Sequence, residues 1–231
     1  MSKRTFPAFL LVDAVSSLAS LPYDHAGWRV DVTISGSQKG LMAPPGLGLN
    51  VVGEKALRAA SAAPLPTPYW GWQAIIDANQ GGFFPYTPPS NLMVGLDQAL
   101  DLLAAEGLEN VHARHARHGR ACRAAVETWG LETQCAEVDQ ASDSLTAVRM
   151  PDGQDADRLR AIALNDFNIS LGAGLGQVAG KIFRIGHLGD FNDAMLIGTL
   201  GGVEKALEKA GVPIQKGGLA AAMEVLGGTD K

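Results

Sequence analysis

A strand-like run, VDVTIS at residues 30–35, ends in Gly-Ser-Gln and then Lys39, before a turn rich in proline and glycine. A second short apolar run, AFLLVD at residues 8–13, ends in Asp13. In open α/β sheets ligands collect at the carboxyl ends of the strands, so this amine and this carboxylate are expected at neighbouring strand ends. One reading is a simple ion pair. The other is an amine that forms an imine with a carbonyl cofactor, beside a carboxylate that keeps a pyridine nitrogen protonated. The ring then withdraws electrons from a carbanion, which is the chemistry of pyridoxal phosphate. Imine formation needs a neutral amine, a state that an apolar, glycine-lined pocket favours by desolvation.

Two further positions could carry chemistry. Thr87, in FFPYTPPSNL, precedes two prolines suited to a helix start, where a hydroxyl serves either as a phosphate ligand or as an ordinary cap. Arg184, in KIFRIGHLG, lies in an apolar strand where an unpaired guanidinium is expensive to bury. It calls for an anion: a ligand carboxylate held by two hydrogen bonds, or an internal salt bridge.

Other patterns carry less. GLGQVA, residues 174–179, has the letters of a dinucleotide fingerprint but runs into strand-like KIFRIGH where that fingerprint requires a helix. Its glycines are read as letting backbone approach a substrate pocket. His112, His115 and His118 alternate with arginines and are read as a solvated helix face, since no cysteine or carboxylate completes a metal-ligand set. His187, close to Arg184, is a candidate pocket residue.

The elements that must position these groups are read from periodicity. The runs 8–13 and 30–35 read as parallel buried strands joined by a brief crossover, with LGLNVV (47–52) alongside and EKALRAASAA as a short helix. Residues 64–90 read as a long connection whose aromatics, Tyr69, Trp70, Trp72, Phe83, Phe84 and Tyr86, argue against disorder. Residues 90–129 read as helix with a break at Gly107. A strand (144–150), a helix (155–167), two strand-like runs and a last helix from about Phe191 complete a small α+β domain.

With 231 residues, 46% of them hydrophobic and 19% charged, the chain reads as soluble and globular. Nineteen basic against 24 acidic residues speak against a nucleic-acid partner. No apolar run approaches the ~20 residues of a membrane helix, and the opening MSKRTFPAFLLVDAV lacks a cleavage site, so no membrane partner and a cytoplasmic location are expected. Cys122 and Cys135 read as reduced thiols.

The run LLVDAVSSLASLPYDHAGWRVDVTISGSQKGLMAPPGLG resembles the cofactor segment of the class V, fold-type I aminotransferases, specifically their serine-glyoxylate and alanine-glyoxylate branch. The similarity continues through GFFPYTP, EGLENV, SLGAGLG and GKIFRIGHLGDFND. It implies an α/β fold with an incomplete large-domain sheet and pyridoxal 5'-phosphate as cofactor. The domains implied are 1–90, the C-terminal part of the cofactor domain; 91–130, connecting helices; and 131–231, a small α+β domain.

Lys39 is then the imine-forming residue, Asp13 the partner of the pyridinium nitrogen, Val15 a contact on the ring face and Gln38 a contact at the phosphate. Thr87 also binds phosphate, from a loop that crosses to the neighbouring subunit of a homodimer. Some relatives carry a phosphate-binding tyrosine where this chain has Phe84, and Tyr86 is expected to supply that hydroxyl. Arg184 holds the substrate α-carboxylate.

The activity implied is transfer of the amino group of serine, or alanine, to glyoxylate, giving glycine with hydroxypyruvate or pyruvate. Lys39 is the general base. Relatives place a long N-terminal part before the aspartate strand. The chain is therefore expected to be a fragment, or to work with a separate N-terminal polypeptide, its three strands exposing an edge and apolar faces. The alternative is a non-catalytic fragment or split-subunit module, inactive without that part.

Overall fold

A computed structural model describes residues 8–228 apart from Pro64 and Pro66. The opening residues 1–7, on which the expectation about the chain start turns, lie outside the described residues. The chain divides into two compact units, Met1–Leu18 with Pro22–Ala105, and Ala19–Leu21 with Glu106–Lys231.

In the first unit, β1 (Leu11–Asp13), β2 (Val32–Gly36) and β3 (Gly48–Val52) form a sheet in the order β1-β2-β3. β1 and β2 are parallel, with Leu11 opposite Val32 and Asp13 opposite Ile34. β3 runs antiparallel to β2, since the loop 37–47 makes a direct return rather than a crossover.

The expectation of buried strands holds for β2, where Val32, Thr33 and Ser35 are buried, and fails for β1, where Leu11 is 66% exposed. Among the described residues β1 has a strand on one side only, which leaves its outer edge unpaired. At the other end of the sheet Lys55 Nζ donates to Ala8 O (2.7 Å) and Asp31 Oδ2 (2.9 Å), and Leu10 N donates to the same oxygen (2.8 Å). The Leu10 amide first, then Lys55, hold the Asp31 carboxyl below its ordinary pKa.

α1 (Glu54–Ser61) comes next. The aromatic-rich connection is not irregular throughout: it contains α2 (Trp72–Gln80), none of whose residues is buried. α3 (Ser90–Glu106) then starts directly behind Pro88 and Pro89.

The second unit opens where Gly107, at φ +85°, separates α3 from α4 (Leu108–Thr128), the expected break. Beyond it come β4 (Glu132–Thr133), β5 (Leu145–Arg149), α5 (Ala156–Phe167), β6 (Gly172–Ala173), β7 (Ile182–Gly186) and α6 (Asp193–Ala210). The strands pair antiparallel in the order β4-β5-β7-β6. α6 is not the last helix, since α7 (Gly218–Gly227) packs beyond it.

α7 is built around Trp129. This fully buried indole donates to Glu204 Oε2 (2.7 Å), and the same carboxylate accepts from the Gly217 and Leu219 amides at the start of α7. Burial alone would raise the Glu204 pKa, but these donors together bring it below its ordinary value. A side chain at Gly218 would collide with the indole.

The histidines correct the expectation of a solvated face. His115 and His118 are fully buried, on a stripe of α4 with Val111 and Cys122, while Arg114 and Arg117 point outward to Glu106 and Asp193. His115 Nδ1 meets Val111 O (2.7 Å), and His118 Nε2 meets Asp193 Oδ1 (2.8 Å). His187 is also fully buried, its Nε2 3.0 Å from Thr146 Oγ1. Among the described residues no group of His, Cys, Asp and Glu could hold a metal.

Burial lowers the pKa of all three imidazoles, that of His187 to about 4. An unfolded histidine titrates near 6.5, so the unfolded chain takes up protons that the fold refuses. This unit is therefore fully stable above about pH 6.5 and loses stability as pH falls toward 4. His187 alone accounts for about 3 kcal/mol of that loss. Thermal melts across this range should show the decline, and His187→Gln should flatten it; a profile of unchanged slope would contradict the assignment.

Candidate active site

Asp13 lies at, and Lys39 just beyond, the carboxyl end of the parallel pair β1–β2. Asp13 is the last residue of β1, and its Oδ1 accepts the Val15 amide (2.9 Å) in a turn that fixes the side chain. Its Oδ2 has no partner among the described residues. The chain then curls, with Ser17 N and Leu18 N donating to Ala14 O, and Ser35 Oγ of β2 donates to the same carbonyl (3.3 Å).

Lys39 sits three residues beyond the end of β2, half-buried. Its Nζ forms no hydrogen bond or ion pair among the described residues, so the simple pairing with Asp13 is not made. The Lys39 carbonyl accepts from Met42 N (2.9 Å), closing a turn in which Met42 adopts φ +60°. Gln38 is exposed and folds back so that its Oε1 lies where a Gly36 Cβ would be only 2.9 Å away.

Behind the strand, Tyr23 OH and His25 Nδ1 converge on the buried Thr33 Oγ1 at 2.5 and 2.7 Å. Sequence reading missed this trio. Its signal is Thr33 and Ser35, two hydroxyls on one face of an otherwise apolar strand.

Tyr86 OH donates to Pro68 O (2.6 Å), and its ring lies 5.0 Å from that of Tyr69. Thr87 is exposed, immediately before Pro88. Leu92 in the first turn of α3 lies against Gly46, whose φ of +141° and lack of Cβ allow the contact, so the start of α3 borders the loop that carries Lys39.

In the second unit Arg184 lies on β7 between Ala147 of β5 and Gly172 of β6. A Cβ on Gly172 would come within 3.1 Å of Arg184 Nε. The guanidinium thus occupies a lane cleared by small residues on both neighbouring strands. Nε is buried and has no hydrogen-bond partner, and no described carboxylate pairs with the arginine. The internal salt bridge is absent among the described residues. The glycine that makes room for the arginine is Gly172, just ahead of the 174–179 stretch whose glycines are expected to open a pocket.

The family model for class-V aminotransferases matches residues 2–187. The chain belongs to the class V aminotransferases. The serine–glyoxylate aminotransferase of Methylorubrum extorquens is 48% identical over 226 residues, covering 95% of this chain and 56% of that protein. The L-aspartate–glyoxylate aminotransferase of Paracoccus denitrificans is 43% identical, covering 94% and 55%. The crystal structure of pyridoxamine-pyruvate aminotransferase from Mesorhizobium loti superposes with a TM-score of 0.87 at 37% identity, covering 95% of this chain and 57% of that one. The chain thus spans a little over half the length of these relatives.

Class V aminotransferases depend on pyridoxal phosphate, and the residues of this aminotransferase chain fit the group. Among the described residues they offer an amine without a partner, a carboxylate with one oxygen uncommitted, and the exposed amide of Gln38 next to Lys39 in sequence.

Arg184 offers a test independent of any ligand. Arg184 is half-buried, and its buried Nε has no partner among the described residues, so the side chain contributes little that is favourable to folding and Arg184→Leu should leave the melting temperature unchanged or raise it. A loss above about 1 kcal/mol would point to an internal partner.

Proposed function

We propose that this chain is the C-terminal part of a transaminase of the serine-glyoxylate type, moving the amino group of serine, or alanine, to glyoxylate. The products are glycine and hydroxypyruvate or pyruvate. The observation that carries the reading is the Lys39 amine, unpaired among the described residues, and the Asp13 carboxylate with one oxygen free among them, at the same end of two parallel strands. The 48% identity to a serine–glyoxylate aminotransferase supports the choice of substrates.

When bound, pyridoxal phosphate supplies an electron sink for the substrate carbanion. Lys39 would be the residue that holds the cofactor carbonyl, and its Nζ would serve as the base for the substrate Cα proton. Asp13, through its Oδ2, would keep the ring nitrogen protonated, Val15 would contact the ring, and Gln38, Tyr86 and Thr87 would hold the phosphate. The Tyr86 hydroxyl, whose one proton goes to Pro68 O, would donate to the phosphate by exchanging that bond. Arg184 binds the α-carboxylate of the amino acid or 2-oxo acid through two parallel hydrogen bonds, the anion its surroundings lack.

The chain works as a homodimer, and its free β1 edge is completed by an N-terminal polypeptide. Exposed Trp70 (79%), Phe83 (73%), Val94 (70%) and Leu11 (66%) supply apolar surface for these contacts. Cytoplasmic residence accords with the two free thiols, Cys122 and Cys135.

Incubation with pyridoxal phosphate and then borohydride should fix the label on Lys39, with loss of that peptide's label in Lys39→Ala. Addition of the N-terminal part should then yield glycine from serine and glyoxylate. Labelling spread evenly over all lysines would refute the proposal.

A further inference from the structure

We propose that Ser37 is a positioning residue for Lys39: its buried hydroxyl clamps the loop between β2 and β3, so that the backbone that carries the amine is fixed before any cofactor arrives. The inference rests on the reading of Lys39 as the cofactor-bearing amine.

Ser37 is fully buried while its neighbour Gln38 is exposed. Its Oγ donates to Pro44 O (2.6 Å) and accepts from Leu47 N (3.4 Å). Its amide donates to Leu47 O (3.2 Å), and its carbonyl accepts from Ala43 N (3.0 Å). One residue therefore closes the loop 37–47 through both backbone and side chain.

Within the closure the Lys39–Met42 turn contains buried Leu41 and is followed by buried Ala43. A lysine side chain is flexible enough that its amine can be placed only if the Cα beneath it is fixed. The short bond to Pro44 comes from a side chain, so alanine would remove it and leave a carbonyl without its donor. Threonine keeps the hydroxyl.

The full chain and its Ser37→Ala and Ser37→Thr variants are treated with pyridoxal phosphate and borohydride, and the label is mapped on every lysine, with Lys205 and Lys209 as internal references. Hydrogen exchange at Ala43 and Leu47 is monitored in parallel without cofactor. Lys39 should label fastest in the wild type, roughly tenfold more slowly in Ser37→Ala, and at close to the original rate in Ser37→Thr, with the reference lysines unchanged. The Ala43 and Leu47 amides should exchange faster in Ser37→Ala. Equal Lys39 labelling in wild type and Ser37→Ala, or unchanged exchange, overturns the proposal. If wild-type Lys39 labels no faster than Lys205, the cofactor reading itself fails, and exchange alone then decides whether Ser37 clamps the loop.

Discussion

The parallel pairing of β1 with β2 is the constraint on which the candidate site depends. Parallel strands release their outgoing loops at the same edge of the sheet, so the residue ending β1 and the loop leaving β2 arrive together. Asp13 and Lys39 owe their common placement to this register rather than to any bond between them. The antiparallel return of β3 then limits the loop to residues 37–47, short enough for hydrogen bonds to organise it throughout.

The second unit solves a different problem. Its antiparallel sheet and its helices enclose a continuous core that includes Trp129, Phe183, Leu196 and Leu207, and within that frame it tolerates an arginine that no acid among the described residues neutralises. Gly172 and Ala147 accommodate the guanidinium sterically while leaving its charge unmet. An uncompensated cation held between small residues is an expense that a stability-driven sequence would remove, which is why it reads as a binding group.

Much of this was legible in the sequence because the signals are local. Short β-branched runs mark β1 and β2, Gly107 marks the helix break, and an arginine inside KIFRIGH marks itself by being out of place. The features that escaped sequence reading depended on tertiary partners. The orientation of β3 is set by loop length rather than by its own residues. α7 lacks charge patterning and acquires its position from Trp129 and Glu204, which lie far back along the chain. The arginines flanking His115 and His118 suggest water, yet a spacing of three and four residues also describes an inward stripe, and packing against α7, α6 and β5 chose that face. α2 was hidden because glycines and aromatics bracket it, and it buries nothing of its own.

The large contiguous core lies wholly between Ala121 and Leu226, whereas Lys39 and Asp13 belong to the unit with few buried side chains. Cooperative unfolding of this chain therefore monitors the half that carries Arg184. Damage around the lysine could pass unnoticed in a denaturation curve and still abolish turnover, so substitutions in the two units call for different assays.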